Sequence, residues 1–214
     1  MIKIKYFKEF TFIYAIFISL FHFGINVWGG LSDLWFNSAH FALLASLGFL
    51  TYEASKNENE ISIVNIIFAL GALGTFFYMM FFEESLYAVA NGQMRTSDLI
   101  VSGLTIVLAI EMVRKSTGYV IPGIIVFCIA YLLFLGQHFE GVFAFAGMSP
   151  ERFLYRMFYT NEGLFGPIAT ISATYVFMFI LFAAFLLKSG AGDFIVDVAN
   201  AVAGKYTGGT GHVA

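Results

Sequence analysis

The chain has 214 residues, of which 59% are hydrophobic, 19% aromatic and only 12% charged. That balance lies far outside the range of soluble domains and specifies an integral membrane protein. A formal net charge of −3 with no basic stripe excludes a nucleic-acid binder.

Apolar stretches of about 20 residues recur, each long enough as a helix to cross a hydrocarbon core of about 30 Å. Lipid offers the backbone no hydrogen-bond partners, so the expected fold is an all-α helical bundle. A transmembrane β-barrel needs short alternating strands, whereas "ISIVNIIFALGALGTFFYMMFF" is apolar on both parities. Lys3, Lys5 and Lys8 precede the first apolar segment in the manner of a secretory signal. No small-x-small cleavage site follows, and a second apolar segment comes soon after, so an uncleaved first span is predicted.

Six spans are predicted in chain order: Phe10 to Val27, Phe36 to Tyr52, Ile61 to Phe82, Asp98 to Arg114, Tyr119 to Leu135, and Leu164 to Leu187. The fourth is uncharged only from Leu99 to Ile110. Asp98 at its start and Arg114 and Lys115 at its end suit the helix dipole, and that pattern argues for a full span. With the N-terminus cytoplasmic, the inner side collects Lys3, Lys5, Lys8, Lys56, Arg114, Lys115, Lys188 and Lys205. The outer side receives Arg95, Arg152 and Arg156, so the distribution of cations favours this orientation. Trp28 and Trp35 flank the first outer loop at headgroup level.

Two further segments have the pattern of amphipathic interfacial helices. "SPERFLYRMFYT" offers Ser149 as N-cap and Pro150 at the first helical position, with Arg152, Arg156 and Tyr159 opposite Leu154, Met157 and Phe158. "AGDFIVDVANAVAG" sets Asp193, Asp197 and Asn200 against Phe194, Ile195, Val198 and Val202. Between the fourth and fifth spans, "STGYVIPG" is the expected domain joint.

Few residues point to chemistry. His22, His40, His138 and His212 are scattered without metal-ligand spacing, and the expectation is no metal and no cofactor in this chain. His22 and His40 lie near the first two spans, where neighbouring helices are expected to satisfy them. Cys128, the single cysteine, reads as a small residue of an apolar run. Glu111 is an ionisable group within a span and therefore a functional candidate by default. Arg114 lies one turn away, and a structural ion pair is the simpler expectation. Asn26 and Asn65 are expected to bond between helices, and Gly71 and Gly74 to permit close helix approach. No nucleophile–base arrangement stands out, so no catalytic residue is assigned. "SGAG" and "TGGTG" lack the strand and the Gly-Lys-Ser/Thr of a phosphate loop. They supply backbone freedom instead: Ser189 precedes Gly190, which can end a helix in the left-handed conformation, and Gly192 can open the next turn.

The run from Glu162 to Gly209, with "ISATYVF", "FAAFL", "SGAGDF" and the "GKYTGG" tail, closely resembles the start of the large membrane subunit of tripartite ATP-independent periplasmic (TRAP) transporters, DctM-like and nearest to the fused permeases of the TAXI subclass. Within these motifs lie Ser189, Gly190, Gly192, Asp193, Gly208 and Gly209; Thr210-Gly211 stands where the resemblance leads one to expect Pro-Ala. "YVIPGIIVFCIAYLLFLG" looks like the first helix of that large subunit. The resemblance implies a small four-helix domain over residues 1–115 and the beginning of the transport subunit over 119–214. It also implies a sodium-coupled secondary transporter of the bacterial inner membrane, taking up organic anions such as C4-dicarboxylates from a periplasmic solute-binding protein by an elevator-like movement. Sodium would be the coupling ion. The sodium and substrate sites are then expected beyond Ala214, the chain stopping just short of the first helical hairpin. The alternatives are a self-standing scaffold or receptor-docking subunit without transport, and an unrelated six-span enzyme using Glu111 or a histidine.

Overall fold

The computed structural model describes residues 2–3, 6–54, 60–88 and 94–203. Its helices are α1 (Phe7–Trp28), α2 (Asp33–Ala54), α3 (Ile63–Ala88), α4 (Thr96–Thr117), α5 (Val120–Ala130), α6 (Pro150–Tyr159), α7 (Pro167–Ile171), α8 (Phe177–Ser189) and α9 (Ala191–Ala203). Six helices are long and apolar enough to cross a membrane: α1, α2 as Asp33–Tyr52, α3 as Ile63–Phe82, α4, the run Val120–His138, and the run Pro167–Ser189. Each predicted span is thus present, including the weakly apolar fourth. The extended pairing among the described residues is a two-residue antiparallel ladder, Ile2 opposite Ile61 and Lys3 opposite Glu60, too short to alter an all-α architecture.

Where the ends differ from expectation, local chemistry explains it. The sixth span begins at Pro167 and not Leu164, because the chain first turns: the Leu164 N–H donates to Met157 O at 2.8 Å and the Gly166 N–H to Gly163 O at 3.2 Å. A Cβ at Gly163 would collide with the backbone of Arg156 and Met157, so only glycine permits this turn. Gly118, with φ 80°, closes α4 by donating its N–H to Arg114 O at 3.0 Å, so "STGYVIPG" holds the turn between α4 and α5.

Two units make up the chain, Met1–Ala173 and Thr174–Ala214. In the first, α2 lies at the centre, packed against α1, α3, α4 and α7. It is the least apolar span, with mean hydropathy 1.2, and yet half of that window is buried; the run Val120–His138 has mean hydropathy 2.2 and is 11% buried. The inversion follows from the solvent. Lipid cannot satisfy Asn37, Ser38, His40 and Ser46, so the helix carrying them is surrounded by protein. Small side chains let α2 and α3 meet closely: Ala42, Ala45, Ala69 and Ala72 are all buried, beside Phe49 and Leu108. Gly71 takes the expected role, since a Cβ there would lie 3.4 Å from Leu108 of α4. Gly74 does not, because it faces open space. Its place is taken by Gly48, where a Cβ would overlap the Met112 side chain.

α6 packs more deeply than an interfacial helix need. Ser149 caps it, accepting from the Arg152 N–H at 3.3 Å, with Pro150 at its first position. Phe153, Phe158 and Tyr159 are buried, and Phe158 and Tyr159 join Met79 and Phe165 in one cluster. Tyr159, on the face it shares with Arg152 and Arg156, is buried nonetheless, and its hydroxyl reaches a buried acceptor.

The second unit contains α8 and α9, which contact each other across Gly190, a left-handed residue with φ 74°. Phe194, Ile195, Val198 and Val202 of α9 are exposed, as an amphipathic helix at an interface would leave them.

Candidate functional site

The densest polar chemistry lies inside the bundle, where α1 and α2 meet α7. His22 is completely buried and His40 nearly so, and His22 Nε2 stands 2.8 Å from His40 Nδ1. The outer nitrogens are also engaged, His22 Nδ1 with Ile18 O at 2.8 Å and His40 Nε2 with Ser172 Oγ at 3.0 Å. The tautomers follow from Ile18, because a carbonyl only accepts. His22 Nδ1 must carry hydrogen, leaving Nε2 of the neutral ring as an acceptor. His40 Nδ1 therefore donates to it, and Ser172 donates to His40 Nε2. The hydrogen bonds run in a single direction from Ser172 to Ile18.

Two asparagines lash the same helices together. Asn26 Nδ2 donates to His22 O at 2.8 Å and to Ala173 O at 3.2 Å. Asn37 is fully buried, and its Nδ2 reaches Phe165 O and Thr170 Oγ1, both at 2.8 Å. Its Oδ1 is buried with no hydrogen-bond partner among the described residues. Next to this seam the helix widens into a π-turn at Ser172–Val176, a departure from α geometry that recurs at functional sites. A groove of about 440 Å³, lined by Asn37, His40, Phe41, Leu44, Met112 and Ser172 among others, opens onto the seam.

A second buried cluster centres on Asp98. Its Oδ1 accepts from Tyr78 OH of α3 at 2.6 Å and from Tyr159 OH of α6 at 3.2 Å, while Oδ2 accepts from the Arg95 N–H at 2.9 Å. One carboxylate thus caps α4 and joins three helices. Burial, followed by the Asp98 charge, raises the Tyr159 phenol well above its ordinary value and keeps it a donor.

At the other end of α4, Arg114 forms a bidentate pair with Glu111, Nε to Oε2 at 2.6 Å and Nη2 to Oε1 at 2.7 Å. The Lys115 ammonium lies 3.8 Å from Glu111 Oε1 and 4.3 Å from the centre of the Tyr52 ring, tying α4 to α2. Among the described residues no three His, Cys, Asp or Glu side chains converge in the manner of a metal site.

The family described as "Tripartite ATP-independent periplasmic transporter, DctM component" matches the chain from residue 62 to residue 214, well over half its length. The chain belongs to this family. No curated protein and no solved structure matches it. Membership in the DctM family makes it part of a transporter, which sets the six-span enzyme aside, and places it as a multi-pass protein of the inner membrane. The match takes in α3 and α4 as well as the run beyond Tyr119.

Within this DctM-family chain the motif residues are distributed as follows. Ser189 ends α8, its Oγ donating to Leu186 O at 3.0 Å and accepting from the Ala191 N–H at 3.4 Å. Gly190 adopts the left-handed conformation, Gly192 is the second residue of α9, and Asp193 lies in its first turn. Gly208 and Gly209 lie outside the described residues, as does His212. His138 is distant in role from the buried pair: its Nδ1 donates to Phe134 O of its own turn at 2.9 Å. Asn26 bonds between helices as expected, whereas Asn65 Nδ2 is buried with no hydrogen-bond partner among the described residues. Sequence reasoning missed the His22–His40 contact and the partnership of Asp98 with Tyr159, which is 61 residues away. The available signal was the presence of histidine and asparagine inside otherwise apolar spans.

Proposed function

We propose that this chain forms the scaffold end of a sodium-coupled secondary transporter that takes up organic anions, C4-dicarboxylates among them, delivered by a periplasmic solute-binding protein of the TAXI type. Residues 1–115 act as a small-subunit-like four-helix domain, and 119–214 begin the large transport subunit, with the N-terminus in the cytoplasm. Ser189, Gly190, Gly192 and Asp193 form the bend between a membrane span and an amphipathic arm; Gly208 and Gly209 belong to the glycine-rich motif beyond the described residues. Glu111 and Arg114 are structural. The family match over residues 62–214 is the observation that carries this proposal. The lysine and arginine distribution supports the orientation, and the seam joining α1, α2 and α7 supports a rigid scaffold.

The test is reconstitution of the whole permease in liposomes with its cognate binding protein. Uptake of labelled dicarboxylate should require both the receptor and an inward sodium gradient. Uptake that persists after the gradient is collapsed would overturn the coupling, and receptor binding without any uptake would mark a scaffold subunit. Reporter fusions at Glu58 and Ser116 should both be cytoplasmic.

A further inference from the structure

We propose that His22, His40 and Ser172 form a proton-binding site that holds a single proton and sets the hydrogen-bond polarity of the sixth span. The argument is one of counting. In its neutral form the chain runs Ser172 O–H to His40 Nε2, His40 Nδ1–H to His22 Nε2, and His22 Nδ1–H to Ile18 O, and every position is filled. Adding one proton leaves an equally complete arrangement. The proton binds His40 Nε2, the hydrogen on His40 Nδ1 passes to His22 Nε2, and the charge comes to rest on His22, both of whose nitrogens then carry hydrogen. A second proton has no place, because it would set N–H against N–H across the 2.8 Å contact. Nor can the proton travel on, since Ile18 O is a backbone carbonyl. The chain stores a proton and does not conduct it.

Access is from the His40 end. His40 and Ser172 line the groove of about 440 Å³, whereas His22 is fully buried behind them. The groups facing the rings agree with a self-contained site: Phe21 of α1 and Phe36 of α2 pack on His22, Thr170, Ser172 and Ala173 of the sixth span supply hydroxyl and carbonyl groups, and Met112 of α4 presents a thioether across the groove. Across the 2.8 Å contact each ring meets the other histidine, a second titratable group.

Protonation has a mechanical consequence. Once His40 Nε2 carries hydrogen, Ser172 Oγ turns from donor to acceptor, and its own hydrogen is free to bond back to the Ile168 carbonyl, one turn earlier. Ser172 opens the π-turn Ser172–Val176, so the proton acts where the helix already departs from α geometry.

The test uses the full chain in lipid nanodiscs with nitrogen-labelled histidine, in a His138→Gln and His212→Gln background so that two rings remain. At about pH 8 both should be Nδ1–H tautomers with a scalar coupling across the His22–His40 bond. On lowering the pH to about 4, His40 should become the Nε2–H tautomer and His22 the cation in a single shared titration, with amide protection factors at Ser172–Val176, referred to the intrinsic exchange rate at each pH, falling about tenfold. Two independent titrations, or a His40 that stays Nδ1–H throughout, would overturn the proposal. Ser172→Ala should keep the histidine coupling but lose the pH dependence of these protection factors; protection that still responds to pH in this variant would sink the mechanical step. None of these measurements depends on transport.

Discussion

Asp98 offers the sharpest test of the packing. Replacing it with alanine removes the acceptor for the Arg95 N–H at the start of α4, worth about 1 kcal/mol as a helix cap. It also leaves the Tyr159 hydroxyl, on a side chain only 8% exposed, without its acceptor, a further cost of about 1–3 kcal/mol. Tyr78 also reaches Ser97 Oγ, at 2.9 Å, and so keeps a partner. Asp98→Ala should therefore lose about 2–4 kcal/mol in total. Tyr159→Phe alone should lose about 1 kcal/mol, since its bond is the longer of the two at 3.2 Å. The double variant decides the matter. With both partners gone no donor is stranded, and the two effects should fall short of additivity by about 1–2 kcal/mol. Equilibrium unfolding in mixed detergent micelles measures all three. Strict additivity would show that the Tyr159–Asp98 contact contributes nothing and that α6 is held by Phe153 and Phe158 alone.

Alkaline solution probes the same cluster. Because the folded Tyr159 pKa is raised, its contribution to stability is fully present below the unfolded value of about 10 and fades as pH climbs above it toward the folded value. Wild-type should lose stability above about pH 10 more steeply than Tyr159→Phe, and identical slopes would contradict the assigned cause. Gly163→Ala should destabilise by about 1–3 kcal/mol through backbone collision, whereas Gly74→Ala, in open space within α3, should gain about 0.5–1 kcal/mol; melting in detergent distinguishes them. Glu111→Gln should leave the proposed uptake unchanged, because the Glu111 carboxylate is engaged by Arg114 and Lys115 of its own helix; abolished uptake in a well-folded variant would give Glu111 a direct role.

The spans were readable because their signal is collective. Each sums the transfer preference of about 20 residues, and no single contact can overturn it. The end of α8 was equally local: Gly190 lacks the Cβ that resists a positive φ, so the break could be placed from the letters alone. Glu111 and Arg114 share one helix face at a spacing of three, and their pairing needed no knowledge of other elements. The π-turn at Ser172–Val176 was not legible, since nothing in "SATYV" departs from ordinary helix formers strongly enough to announce it.

Composition and periodicity by themselves determined the solvent of this protein, the number of its spans and the places where helices stop, because burial in lipid and backbone freedom are properties each segment carries with it. Only the tertiary structure decided which polar groups meet. His22 and His40 are 18 residues apart, Asn37 and Thr170 are 133 apart, and Asp98 and Tyr159 sit on different helices. Every one of these groups had to find a partner inside a medium that supplies none, and which partner it found depended on how α1, α2, α4, α6 and α7 pack together.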